Sequence, residues 1–198
     1  MDPMPDLPAF VAFAAVGSFT PGPNTTLALA IGARFGWRRV GGHALGVAIG
    51  LSAMLALAAL GAVGLLQAVP GLEPALRAAG VAWLLWLGWK VARGGRGDRP
   101  GLDRPLAAWQ SALLQLANAK AWMLCVAVAA TWSAAVQRVP ALAAVPIVVF
   151  AAMTTAANLA WAALGQSMQA WLAVGSRRAW FDRAMGALLA ASALAMLR

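Results

Sequence analysis

The stretch from Leu7 to Ala33, LPAFVAFAAVGSFTPGPNTTLALAIGA, contains no Asp, Glu, Lys or Arg and is bounded by Asp6 and Arg34. It is longer than the roughly 20 apolar residues that a helix needs to cross a bilayer, so it reads as a membrane span even with an irregularity inside. That irregularity is Thr20-Pro21-Gly22-Pro23-Asn24, almost at its middle. Each proline lacks the N–H that would bond the carbonyl four residues earlier, so the carbonyls of Gly17 and Phe19 lose their helical partners. Lipid tolerates such a break only where protein or a water-filled cavity shelters it. Beyond it a second half-helix begins, with Asn24 as a suitable N-cap and with free N–H groups at a positive dipole end. Such an end suits a carboxylate. A plain proline kink would use the same residues, and that reading stays open.

Further apolar runs follow along the chain. The second, Ala44 to Leu66, is uncharged, and the Gly42, Gly46, Gly50 spacing allows another helix to approach closely, within the subunit or between subunits. The third, about Pro74 to Arg93, crosses if Arg77 and Lys90 reach out to the headgroups. The fourth runs from about Trp109 to Ser133 and holds Lys120 near its centre; the fifth extends from about Ala141 to Leu164. The sixth, Ala184 to Leu197, is short and needs Trp180, Arg183 and Arg198 as interfacial anchors. Composition agrees with this assignment: 62% of residues are hydrophobic, only 11% are charged, and mean hydropathy is +0.75, all outside the range of a soluble domain. The fold expected is therefore all-α, a polytopic membrane protein of about six transmembrane helices, with no room for a separate soluble domain.

Net charge is +9, yet the basic residues fall in short clusters between apolar runs, which excludes a nucleic-acid-binding face. A single cysteine, Cys125, and a single histidine, His43, exclude an intrachain disulfide and a soft-metal centre, so neither metal nor cofactor is expected. The amino terminus carries Asp2 and Asp6 but no basic residue, so the first apolar run is expected to remain rather than leave as a signal peptide. Arg34, Arg38 and Arg39 follow the first span, Lys90, Arg93, Arg96, Arg99 and Arg104 the third, and Arg177, Arg178 and Arg183 the fifth. The alternate loops hold only Arg77, Arg138 and Arg198. The positive-inside rule then places both termini in the periplasm, with the basic clusters touching anionic lipid. Most tryptophans, including Trp37, Trp89, Trp109, Trp132 and Trp180, lie near span ends, as membrane-interface indoles do.

Residues 94–108 form a basic cytoplasmic linker rich in glycine, and divide the membrane domain into 7–93 and 109–198. Three spans is an odd number, so two three-helix halves must be inverted with respect to each other, the plan on which many secondary transporters place a substrate site at mid-membrane. Lys120 is the one charged side chain near a bilayer centre, at a cost of about 3 kcal/mol, and none of Asp2, Asp6, Glu73, Asp98, Asp103 and Asp182 lies inside a span to neutralise it. Its counter-charge then comes from a ligand, unless the amine is deprotonated or bonded to the orphan carbonyls of span one. Gln115, Asn118 and Trp122 share a helix face, but Lys120 lies about 200° from Asn118 on a regular helix, so Asn118 and Lys120 line one cavity only if that helix is irregular. Thr154, Thr155 and Asn158, with Trp161 a turn on, form a further polar stripe in span five, as cavity lining or as interhelical hydrogen bonding. Cys125 reads as packing.

These residues resemble the lysine exporter (LysE/RhtB) family of amino-acid efflux transporters over essentially the whole chain. The resemblance rests on Thr20-Pro21-Gly22-Pro23-Asn24, the glycine-spaced second span, and Trp83-Leu84-Leu85-Trp86-Leu87-Gly88-Trp89-Lys90. Leu116-Ala117-Asn118-Ala119-Lys120 is similar to the family's Asn-Pro-Lys-Ala segment. Ala119 stands where the family usually has proline, which weakens the expectation of a broken fourth helix. Asn24 stands where many members carry aspartate, which removes an obvious proton-coupling acid. The resemblance implies export of amino acids or related metabolites across the bacterial inner membrane, driven by protons. The residues expected to bind substrate are Thr20, Pro21, Gly22, Pro23, Asn24, Asn118, Lys120 and Asn158. An intramembrane enzyme is disfavoured because the spans hold no carboxylate pair, metal motif or Ser–His arrangement. A channel or a structural membrane subunit is the alternative, and a homo-oligomer is compatible with the glycine stripe.

Overall fold

A computed structural model describes residues 6–59, 71–94 and 104–195. Every regular element among them is helical: α1 (Leu7–Phe19), α2 (Pro23–Phe35), α3 (Gly41–Ala59), α4 (Leu72–Ala92), α5 (Ala108–Leu116), α6 (Ala119–Arg138), α7 (Ala144–Ser167) and α8 (Arg177–Ala195). Single 3-10 turns at Trp37–Val40 and Pro140–Ala143 precede α3 and α7, and one helical turn at Gln169–Leu172 follows α7. The segments Trp37–Ala59, Ala119–Arg138 and Pro140–Ser167 are each long and apolar enough to cross a membrane, and Leu7–Phe19 and Ala78–Ala92 are shorter apolar helices. The chain is an all-α polytopic membrane protein. The end of the second span beyond Ala59, linker residues 95–103 with Arg96, Asp98, Arg99 and Asp103, and Asp2, Leu197 and Arg198 lie outside the described residues, as do the side chains of Glu73 and Arg77.

Two sequence expectations change. The fourth span is not one helix, because the chain breaks at Ala117 and Asn118 between α5 and α6. Asn118 does this without proline: it takes extended backbone angles, and its side-chain oxygen accepts from the Lys120 N–H at 3.2 Å, capping α6. The second change is at the sixth span, where α8 begins at Arg177, seven residues before Ala184, with Asp182 buried and ion-paired to Arg178 at 3.3 Å.

Helix packing gathers the apolar side chains into two clusters. One cluster joins α2, α4 and α8 through Leu27, Ile31, Leu84, Leu87 and Leu189. The other joins α1, α3, α6 and α7 through Phe10, Met54, Cys125, Trp132 and Phe150. Trp132 is therefore not an interfacial anchor: it is 4% exposed, with its ring 4.9 Å from that of Phe10. Trp37, Trp89, Trp109 and Trp180 are exposed, as expected. Of these, Trp37, Trp89 and Trp180 carry Arg38, Arg93 and Arg183 over their rings at 5.7, 4.0 and 5.5 Å. The glycine stripe of α3 is used within the subunit. A Cβ on Gly46 or Gly50 would strike the backbone of α5 at Ala108 or Ala112, so only glycine lets these helices touch.

The basic loops also converge. Arg178 donates through Nη1 to the Ala33 carbonyl at 2.9 Å, at the end of α2, and Arg34 and Asp182 both flank Gly94. The ends of α2 and α4 and the start of α8 thus form one basic end of the molecule.

Candidate functional site

The two helix breaks face each other across one space lined by residues of both. Pro21 and Gly22 interrupt the first span, with Gly22 fully extended at φ −177° and Pro23 opening α2 at its first turn, where a missing N–H costs nothing. Gly22, not Asn24, is the N-cap. The Thr25 hydroxyl supplies the capping bonds, accepting from the Gly22 N–H at 2.9 Å and donating to the Gly22 carbonyl at 3.1 Å. Asn24 is thereby released from capping and forms a reciprocal amide pair with Gln115: Asn24 Nδ2 donates to Gln115 Oε1, and Gln115 Nε2 to Asn24 Oδ1, each at 3.0 Å.

Two carbonyls at the first break, those of Phe19 and Thr20, find side-chain donors on other helices. Trp161 Nε1 donates to the Phe19 carbonyl at 3.1 Å, and Lys120 Nζ to the Thr20 carbonyl at 2.7 Å. Lys120 reaches this position because the break at Asn118 turns the start of α6 toward α1 and α2. The irregularity needed for Asn118 and Lys120 to line one space is therefore present, even with Ala119 in place of proline.

That space is bordered by Gly17, Ser18, Gly22, Pro23, Asn24, Thr25, Gln115, Asn118, Lys120, Thr154 and Asn158, with Val47, Leu51, Ala121 and Leu124 as its apolar wall. Gly22, Pro23, Asn24, Asn118, Lys120 and Asn158 thus come together as expected, while Thr20 takes part through its carbonyl and Pro21 through the break it makes. Thr155 is half-buried and does not border the space. The space has a volume of about 30 Å³, room for a water or two, so a solute of several heavy atoms enters only if the walls part. Two buried polar atoms that find no hydrogen-bond partner among the described residues, Ser18 Oγ and Asn158 Oδ1, belong to this lining. The Asn158 amide nitrogen donates to the Thr154 carbonyl at 2.7 Å, which leaves its oxygen uncommitted.

Behind the lining lies a second row of polar groups that sequence reading left unassigned. His43 is completely buried, with Nδ1 2.8 Å from Ser111 Oγ and Nε2 3.0 Å from the Asn24 carbonyl. Gln115 Nε2 also donates to the Ser111 carbonyl at 3.0 Å, closing a ring of bonds through α2, α3 and α5. The available signals were a lone histidine next to an uncharged span, and Ser111 and Gln115 four residues apart on one helix face.

The sequence pattern of the LysE type translocator family matches residues 15–198. The chain belongs to that family. No curated protein matches it, nor does any solved structure. As a LysE family member it is a translocator of amino acids or similar compounds. Among the described residues of this LysE chain, no group of three or more His, Cys, Asp or Glu is placed to hold a metal ion.

Proposed function

We propose that the chain is a secondary transporter that exports amino acids or related small metabolites across the bacterial inner membrane, driven by the proton gradient, and that the space between the two helix breaks is its substrate site. The observation that carries this reading is the polarity of the lining. Lys120 Nζ and the first turn of α2 offer positive charge and N–H groups to a carboxylate. In the same lining, Ser18 Oγ and Asn158 Oδ1 are buried oxygens able to accept from an ammonium. Free α-amino acids carry both groups on neighbouring atoms.

The substrate side chain then rests on Val47, Leu51 and Leu124. Among the described residues no carboxylate lines the site, so a second ammonium, as in lysine, would enter without a counter-charge and at a cost of several kcal/mol. Neutral aliphatic amino acids are the class that fits. Two inverted halves, 7–93 and 109–198, each with one broken helix, would supply the alternating access, and both termini would lie in the periplasm.

Counterflow in proteoliposomes tests this reading. Labelled L-leucine is expected to accumulate transiently against unlabelled leucine and to do so more strongly than labelled L-lysine. A channel gives no counterflow, and a structural subunit gives no flux. Pro21→Ala combined with Pro23→Ala is expected to leave expression near normal and to reduce flux at least tenfold, because restoring the helix N–H groups takes the Phe19 carbonyl from Trp161 and removes the start of α2. Unchanged flux would reduce the break to a kink. Reporter fusions are expected to place the carboxyl terminus outside the cytoplasm, and a cytoplasmic reporter signal would overturn that topology.

A further inference from the structure

His43 carries chemistry that the substrate site does not use. Its Nε2 faces the Asn24 carbonyl, which can only accept, so Nε2 bears a hydrogen in every protonation state. The titrating nitrogen is therefore Nδ1. In the neutral ring Nδ1 accepts from the Ser111 hydroxyl; in the charged ring it donates to the same oxygen, and the hydroxyl hydrogen turns away. Serine is among the few side chains that serve both states without moving a heavy atom. The imidazole is thus held by partners that accept either protonation state.

Its surroundings set the sign of the coupling. Of the elements packed on α3, α5 and α7 contain no ionisable side chain, α6 contains Lys120, Cys125 and Arg138, α2 contains Arg34, and the turn before α3 contains Arg38 and Arg39. None contains an acid, so among the described residues of these elements a charged imidazole has no carboxylate beside it. His43 lies beside the side chain of Asn158, a residue that borders the substrate space and whose oxygen finds no other hydrogen-bond partner among the described residues. A positive ring beside that oxygen competes for it with a substrate ammonium and repels the ammonium, because two like charges close together in a low-dielectric interior are unfavourable.

We propose that His43 is the proton-binding group of the carrier, and that its protonation and the seating of the substrate ammonium at Asn158 exclude each other. This rests on the carrier reading above. In the outward-open state, substrate leaves and a proton from periplasmic water binds Nδ1. In the inward-open state, entry of substrate displaces that proton to cytoplasmic water. One proton enters for each amino acid exported, with one net positive charge moved inward when the substrate is zwitterionic. No covalent bond other than N–H is made or broken.

The test compares wild type with His43→Gln in proteoliposomes, using labelled L-leucine. Glutamine can donate to the Asn24 carbonyl and accept from Ser111, but it does not titrate. Wild type is expected to bind leucine at least tenfold more weakly at pH 5 than at pH 8, and to concentrate it when a pH gradient is imposed. The variant is expected to exchange leucine at a rate that no longer varies over that range, and to build no gradient. A variant that concentrates leucine as wild type does, or keeps the wild-type pH profile, overturns the proposal. Should His43→Gln not fold, wild type alone decides: adding leucine to unbuffered detergent solution is expected to release up to one proton per leucine bound, and no release overturns it. Absence of leucine exchange in wild type at any pH would instead remove the carrier reading itself.

Discussion

Lys120→Gln is expected to weaken leucine binding by about 10- to 100-fold while the protein still folds. A hydrogen bond to a charged group contributes about 1.5–3 kcal/mol, and each 1.4 kcal/mol is a factor of ten in affinity. Folding should survive because Lys120 is only half-buried and its Nζ reaches a single carbonyl, that of Thr20, which an entering solute or water can also satisfy. In the wild type, the amide and the decarboxylated amine of leucine are expected to bind poorly, since neither brings a negative charge to Lys120 and the first turn of α2. Isothermal titration in detergent reads both effects. A lysine with a purely structural role gives the opposite pattern: the variant loses folded protein, or it folds and discriminates acid from amide as the wild type does.

Gly165→Leu is expected to abolish accumulation of folded protein. A Cβ at this position would meet the Leu29 carbonyl and stand 2.7 Å from the Ala33 nitrogen, so the obstacle is the backbone of α2 and not a side chain that can rotate away. Gly32, on the opposing helix, would likewise drive a Cβ into the backbone of α7 at Ala162. Overpacking costs typically about 1–3 kcal/mol where side chains can adjust, and here only separation of α2 from α7 relieves it. That separation would also displace Pro23, Asn24 and Asn158, so any protein that survives should bind no leucine. Gly41→Ala is the control, because nothing lies within 4 Å of a Cβ there. Monodisperse yield in size-exclusion chromatography measures the difference. Equal yields of the two variants would show that α2 and α7 are not in close contact.

The broken first helix was legible in the sequence because proline acts locally: its missing N–H disrupts a span whatever surrounds it. The break before α6 was not, since no proline stands at Ala119. An asparagine caps a helix only where its side chain faces the backbone N–H two or three residues on, and that depends on which neighbours compete for it. Asn24 shows the same limit in reverse. It has the character of a cap residue, yet Thr25 supplies the capping oxygen and Asn24 pairs instead with Gln115, 91 residues away. Either assignment satisfies local rules, and a contact between distant segments chooses.

Trp132 and His43 mark the boundary most clearly. A tryptophan near a span end suits the membrane interface on energetic grounds, but Phe10 and Phe150 offered Trp132 a closer apolar site. His43 had no motif to single it out, and its meaning comes wholly from Ser111 and the Asn24 carbonyl, brought to it by two other helices. Hydropathy, charge placement and the prolines sufficed by themselves for a membrane-embedded, all-helical chain with an interrupted first span, because the bilayer enforces those rules on each segment separately. Which polar groups meet and which remain unpartnered were decided only by tertiary structure. Those are relations between segments, set by how closely glycine-bearing faces allow the helices to approach.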